Sequence, residues 1–399
     1  MNPSTSLVCP YCFETFQSGS LSFRCTGLDS GLCPPEADEP LRAYQRQTAS
    51  LILPRVFTPP GGRTDSSSVS CQCGHVSIKT VCPLCHNDLS REYVSSGNMV
   101  VAMIGAKETG KSHYMAVLIH ELQHRVGAML KASLTSLDDR TLRRYDRDFS
   151  RYLYGRSEII EVTQSASHND ALRYPMLFKM SLPGKRRWFF SRPSATTVSL
   201  AFFDTAGEDL ENLDATSLSV DARYVARAAA LVVLIDPLQF EPVRQSLDES
   251  RPLPAINGNP VDVLVKVDRL IRETHGVGVA ERISTPIAIV LSKVDAVRDL
   301  FDMGSPVRHA SRHEGFLHVE DCEQMHDNIE AHLMRWCPGL VRFMQDNFSK
   351  YCFFGVSALG GAPDESGRIT RGVLPFRVED PFLWILHQFG LVASERGRA

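Results

Sequence analysis

The sequence predicts an α/β fold: a mostly parallel sheet with an antiparallel edge hairpin, helices on both faces, and a small cysteine-rich segment in front. Three observations predict it. From Tyr93 onward, short apolar runs alternate with stretches of helical periodicity. Four of those runs end in short polar motifs, where ligands of such folds bind. Eight of the eleven cysteines fall in the first 85 residues, ahead of the alternation. The resulting boundaries are 1–92 for the cysteine-rich segment and 93–399 for the α/β domain.

Taken in order, residues 1–92 are loop-rich. Pro34-Pro35 and Pro59-Pro60-Gly61-Gly62 punctuate them, and Asp65-Ser66-Ser67-Ser68 reads as a flexible stretch. Met99–Ile104 is a buried strand pattern that runs into Gly105-Ala106-Lys107-Glu108-Thr109-Gly110-Lys111-Ser112. His113–Leu130 then places Met115, Leu118, Ile119, Leu122, Val126, Met129 and Leu130 at helical spacing. A charged helical segment covers Leu137–Tyr154. Met176–Leu182 and Thr197–Phe203, joined through the basic turn Gly184-Lys185-Arg186-Arg187, read as an antiparallel hairpin at one sheet edge. Further strands are expected at Leu231–Ile235, Ile287–Leu291 and Tyr351–Val356. Helices are expected near Val220–Ala229, Val261–Arg272, Glu320–Trp336 and Asp380–Phe389.

A net charge of −3 gives no electrostatic case for a chain that binds nucleic acid over its whole surface. The most apolar run, Ala228–Ile235, is far too short to span a bilayer, and no secretory signal pattern opens the chain. The expectation is a soluble cytoplasmic protein without membrane contact.

The loop at 105–112 carries the clearest chemistry. A strand passing through G-x-x-x-x-G-K-S into a helix aims backbone N–H groups and a helix N-terminus at one place, which suits a polyphosphate. Lys111 would contact the β- and γ-phosphates, and the Ser112 hydroxyl would ligate Mg²⁺. After the second strand comes Asp204-Thr205-Ala206-Gly207; a carboxylate there can hold Mg²⁺, and the Gly207 N–H can sense a γ-phosphate. Ser292-Lys293-Val294-Asp295 comes after the strand at 287–291. The Asp295 carboxylate can accept both N1–H and N2–H₂ of guanine while the Lys293 stem covers the base. Ser357-Ala358-Leu359 ends the last strand, where a backbone N–H could meet guanine O6. Each later motif alone is also what an ordinary strand-end turn looks like.

The cysteines form knuckles. Cys9-Pro10-Tyr11-Cys12 and Cys82-Pro83-Leu84-Cys85 are C-x-x-C pairs, and Cys71-x-Cys73 precedes the second across the strand-like stretch Val76–Val81. Pairs that bracket a hairpin gather thiolates around Zn²⁺. The expected sites are Cys71, Cys73, Cys82 and Cys85 for one, and Cys9, Cys12, Cys25 and Cys33 for the other, with pairing across the two sets also open. His75 and His86 are substitute ligands that read better as ordinary surface histidines. Cys322, Cys337 and Cys352 read as buried apolar residues. Sparse basic and aromatic residues in this segment favour protein over nucleic-acid contact.

In this order, each behind a strand, the four motifs resemble the Ras-like P-loop GTPases of the translation-factor-related class over roughly Met99–Phe389. The resemblance implies a P-loop GTPase domain that binds GTP and Mg²⁺ through two switch segments. It assigns Gly105, Ala106, Lys107, Glu108, Thr109, Gly110, Lys111, Ser112 and His113 to the phosphates. Asp204 and Gly207 fall in the second switch. Ser292, Lys293 and Asp295, with Ser357, Ala358 and Leu359, fall at the base. Three departures stand out. Ser292 replaces the usual Asn, Glu208 replaces the water-orienting Gln, and Lys111 and Asp204 lie 93 positions apart. That spacing implies an insertion at about 132–173 that also holds the first switch. Thr163 is the chosen switch threonine, with Ser165 and Ser167 as rivals. These departures imply slow hydrolysis helped by a partner, with Arg173 or Arg223 as candidate arginines in cis.

The cysteine-rich segment, the Asp204–Asp209 run D-T-A-G-E-D and the closing Arg377-Val378-Glu379-Asp380-Pro381 together resemble bacterial double-GTPase proteins. That resemblance implies a regulatory role in a biological-conflict system, beside a partner GTPase or effector. The competing expectations are a non-hydrolysing nucleotide-dependent scaffold and an RNA- or ribosome-associated GTPase.

Overall fold

The computed structural model describes residues 6–27, 33–59, 68–160, 174–184, 196–203, 220–248, 253–256 and 258–395. A seven-stranded sheet organises them. Strands β1 (Gly97–Ile104), β2 (Ser133–Ser136), β3 (Met176–Leu182), β4 (Thr196–Phe203), β5 (Ala230–Ile235), β6 (Ile287–Leu291) and β7 (Tyr351–Gly355) lie in the order β2-β3-β4-β1-β5-β6-β7. The run from β4 to β7 is parallel, and β3 is antiparallel to both its neighbours. Every residue of β5 and β6 is buried. A parallel sheet covered on both faces demands such unbroken apolar runs.

The hairpin of β3 and β4 forms as expected, with Met176 opposite Phe202 and Leu182 opposite Thr196. It is not the sheet edge, because β2 adds outside β3. Of the four residues of β2 only Leu134 is fully buried, so the segment has too little periodicity to announce a strand. The helix expected over 113–130 is two helices. The first is α1 (Lys111–Gln123); at His124 (φ −120°, ψ −99°) the chain turns into Arg125–Leu130. Val126 and Leu130 stay buried beyond the break, so the apolar stripe continues and conceals it. The charged segment after β2 divides into a helix at Asp139–Tyr145, capped by the Asp138 side chain, and a wider π-type winding at Asp146–Arg156.

Further helices include α2 (Val220–Ala226), α3 (Pro260–His275), α4 (Val319–Trp336), α5 (Pro338–Asn347) and α6 (Asp380–Gln388), beside short ones at Glu39–Tyr44, Arg91–Ser95 and Glu241–Gln245. The sequence pattern does not announce α5. Among the described residues no helix is long and apolar enough to cross a membrane.

The cysteine-rich segment is built from two- and three-residue strands. Ser22–Arg24 lies between Val56–Phe57 and Thr80–Val81, and Val69–Ser70 pairs with Val76–Ser77. The strand-like stretch Val76–Val81 is therefore two strands in two sheets. The segment rests on the α/β body through one continuous apolar core that runs from Leu7, Phe13 and Tyr93 into β1 and β4. The Tyr93 hydroxyl donates to the Val8 carbonyl at 2.9 Å.

Candidate nucleotide site and metal centres

The tips of β1, β5, β6 and β7 meet at one end of the sheet, and the loop after β1 lies between them. Gly105 is required there: a Cβ would stand 2.6 Å from Thr109 Oγ1 and 2.7 Å from the Leu234 carbonyl. Gly110 takes φ 88° as the cap of α1, a conformation side chains resist, and Glu108 is also left-handed at φ 63°. Thr109 Oγ1 donates to the Ala106 carbonyl at 2.9 Å. Lys111 is buried, and its ammonium donates to the Gly105 and Ala106 carbonyls at 2.7 and 3.0 Å. The lysine thus folds back under the loop it serves.

Lys293, at φ 52° behind β6, reaches across to this loop. Its ammonium donates to the Glu108 carbonyl at 2.8 Å and pairs with Asp236 at 2.7 Å. Asp236 directly follows β5, is 2 % exposed, and also accepts the Leu238 N–H at 2.9 Å. Its role was missed from sequence, although the signal was there: one acid at the end of a wholly apolar run. Ser292 donates its hydroxyl to the Ile235 carbonyl at 3.2 Å, so the bridge to the phosphate loop comes from Lys293. Asp295 is half-buried in the turn Val294–Ala296. The Val294 N–H donates to the Val356 carbonyl at 3.1 Å, which joins this turn to the β7 tip. There Ser357 Oγ accepts the Gly360 N–H at 2.9 Å and its backbone pairs with Phe376; Ala358 and Leu359 come next, half-buried. A cavity beside Gly105, Ala106 and Thr109 is also lined by Asp236, Gln239 and Val263.

His113, the first residue past the loop motif, accepts the Ile160 N–H on its Nε2 at 3.1 Å. Burial, with the nearby Lys293 charge, pushes its pKa down to about 4, so the ring stays neutral and able to accept. It ties α1 to the chain just before the expected first switch. Thr163, Ser165, Ser167, Arg173, Asp204, Gly207 and Glu208 lie outside the described residues. Arg223 pairs instead with Glu14 of the cysteine-rich segment, 3.6 Å away.

The cysteines group otherwise than first expected. Cys9, Cys12, Cys82 and Cys85 form a core-side cluster; Cys25, Cys33, Cys71 and Cys73 form a peripheral one, and within each the ligand atoms lie within 4.8 Å of one another. The grouping of Cys71 and Cys73 with Cys82 and Cys85 fails because Ser77 to Thr80 carries the chain from one small sheet to another. Neighbouring sulfurs are 3.7 and 4.0 Å apart in the first cluster and 3.5 and 3.6 Å in the second. A tetrahedron of Zn–S bonds of ~2.3 Å has edges of about 3.8 Å, so both sets fit the ion. Tyr11 N–H, Leu84 N–H and the Asn87 amide donate to Cys9, Cys82 and Cys85 sulfurs at 3.3–3.4 Å, as thiolate ligands require. Of the two histidines, His75 places Nδ1 3.5 Å from Cys73 Sγ, whereas His86 is half-buried and pairs with Asp38 at 2.7 Å. Cys322 and Cys352 are buried; Cys337 is half-buried.

The chain is similar to the "Putative ESX-1 scaffolding and assembly protein SaeC" of Mycolicibacterium smegmatis, 26% identical over 96% of this chain and 99% of the relative. Among solved structures it resembles the GTP-bound Ski7 GTPase-like domain of S. cerevisiae (TM-score 0.32, 13% identity, 74% of this chain). The chain spans half of that Ski7 chain. It also resembles the Arl6 BBS3 small GTPase of Trypanosoma brucei (TM-score 0.28, 10% identity, 74% of this chain and 99% of that one). At these TM-scores neither structure bears on function. The family profile described as Double-GTPase 2 matches residues 99–333, more than half of the chain, from within β1 to within α4. The chain belongs to the Double-GTPase 2 family.

Proposed function

We propose that this protein is a guanine-nucleotide switch that hydrolyses GTP slowly and acts through a protein partner. Beyond family membership, one observation carries the reading. The Lys293 ammonium spans from the loop behind β6 to the Glu108 carbonyl, which supports a reading in which the base-side and phosphate-side motifs serve one ligand. Lys111 would exchange the Gly105 and Ala106 carbonyls for the β- and γ-phosphates. Ser112 and Asp204 would hold Mg²⁺, which supplies charge neutralisation at the phosphates. Asp295 would read the guanine edge under the Lys293 stem, beside the backbone of Ser357, Ala358 and Leu359. Gly207 would report the γ-phosphate, Thr163 would serve the first switch, and Glu208 would orient water less well than a glutamine, so turnover is slow.

Titration of the purified protein with GTP, GDP and ATP tests this. GTP is expected to bind far more tightly than ATP, Lys111→Ala to abolish binding, and Glu208→Gln to change phosphate release without changing affinity. Equal affinity for ATP and GTP would overturn the guanine assignment. The description of the mycolicibacterial relative favours a second reading, in which the nucleotide state governs assembly of a protein complex and hydrolysis is dispensable. Single-turnover phosphate release, measured with and without candidate partners, separates that scaffold from a hydrolytic regulator of a conflict system.

A further inference from the structure

We infer that Tyr224 is a positioning residue for the nucleotide pocket, and that the core-side cysteine centre sets it through Phe13. The ladder between β1 and β4 ends at Ala102 opposite Phe203, two residues before β1 gives way to the phosphate loop. The Tyr224 hydroxyl stands at that end. It accepts the Met103 N–H at 3.0 Å and donates to the carbonyl of Val101 or Phe203, at 2.9 and 3.1 Å. One side chain therefore joins the end of β4 to the end of β1, from which the loop at Gly105 springs. Its ring is fully buried, so a hydroxyl left without these partners is costly.

What holds the ring is the metal knuckle. Phe13 directly succeeds Cys12, is fully buried, and takes φ 56°; its N–H donates to the Cys9 carbonyl at 3.0 Å. Its ring packs 5.0 Å from Tyr224 and 5.6 Å from Phe203. The next residue, Glu14, closes the knuckle through its carbonyl to the Cys9 N–H at 2.9 Å, and its carboxylate pairs with Arg223 at 3.6 Å, beside Tyr224 on α2. Thiolates drawn to one ion fix the turn from Cys9 to Glu14. That turn seats α2, and α2 sets the join between the strand ends. Among the described residues no ring of the peripheral cluster reaches Tyr224; that cluster packs against Phe57, which borders the main core on its other side. Binding at the core-side centre and at the pocket is therefore coupled, and coupling free energies are reciprocal.

The inference rests on the pocket proposed above, and the experiment separates the two. Zinc release from the full-length protein is monitored with a zinc-selective colorimetric chelator in excess Mg²⁺, with and without a non-hydrolysable GTP analogue. The phase belonging to the peripheral centre is the one lost in Cys73→Ser. The analogue is expected to slow the core-side phase about tenfold and leave the peripheral phase unchanged. Tyr224→Phe, which keeps the ring and removes the hydroxyl, is expected to bind two zinc ions, to weaken nucleotide binding about tenfold, and to abolish the effect of nucleotide on release. Phe13→Leu gives a second route to the same loss. Core-side release indifferent to nucleotide, in a wild-type protein that binds GTP, overturns the coupling alone. A wild-type protein that binds no guanine nucleotide removes the pocket and the coupling together.

Discussion

Asp236 illustrates how a single buried carboxylate can organise a site. It is 2 % exposed, and of its two oxygens one takes the Leu238 N–H and the other the Lys293 ammonium. Removing it leaves Lys293 held only by the Glu108 carbonyl, so Asp236→Ala is expected to weaken guanine-nucleotide binding about tenfold and to cost about 1–2 kcal/mol of stability. Nucleotide titration and denaturant unfolding measure the two effects. Asp236→Asn keeps an acceptor and should fall between. At this scale the loop at 105–112 was legible because fixed spacing encodes its glycines, lysine and serine. Asp236 was marked only as an acid closing an apolar run, a signal without spacing; its distance to Lys293 is what gives it meaning. Asp204, Gly207 and Glu208 remain expectations from sequence.

Among elements, β7 shows how a buried sheet edge is satisfied. Its Phe353 N–H donates to Nδ1 of His326 on α4 at 3.1 Å, and the two rings stack at 5.2 Å. Burial pushes the His326 pKa down, against the pull of Glu330 and Asp327. Between the ordinary histidine value of ~6.5 and that lower one, the unfolded chain binds a proton that the native ring refuses, so stability falls as pH drops through this interval. His326→Gln keeps an acceptor without titrating. Its unfolding free energy is expected to vary less than the wild type's between pH 7 and 5 in denaturant melts. Strands β1, β5, β6 and β7 were legible from their apolar runs, to within a residue or two at either end. Strand β2 was not, because its pairing to Lys179 and Met180 of β3 lies in the partner rather than in its own four residues. The break at His124 hid for the opposite reason, since both helices bury the same stripe.

On the scale of the molecule, the cysteine-rich segment and the sheet share one apolar core, from Leu7 and Phe13 to Phe382. Chelation of zinc is therefore expected to lower the thermal midpoint of the whole chain in one transition, rather than melt the segment alone; calorimetry with and without chelator distinguishes these. Removal of residues 1–92 would bare Phe203 and Tyr224, and the remainder is expected to aggregate, which sedimentation reports. The start of α6 is fastened by its own device. Arg377, buried at φ 53°, binds Asp321 and Asp380, while Glu379 takes Arg125 at 2.9 Å. Cysteine spacing showed that thiols would cluster but not which, because chain direction through several two-residue strands decides the partners.

That partnership is nested. Cys9 and Cys12 close with Cys82 and Cys85 around the pair of pairs 25, 33 and 71, 73. Synthesis must thus deliver Cys71 and Cys73 before the peripheral centre can close, and Cys82 and Cys85 before the core-side one, so Cys9 and Cys12, made first, wait longest. With zinc at both centres, a protease cut between Cys33 and Cys71 would sever the backbone yet leave two fragments laced by both ions, an association that a chelator is expected to weaken.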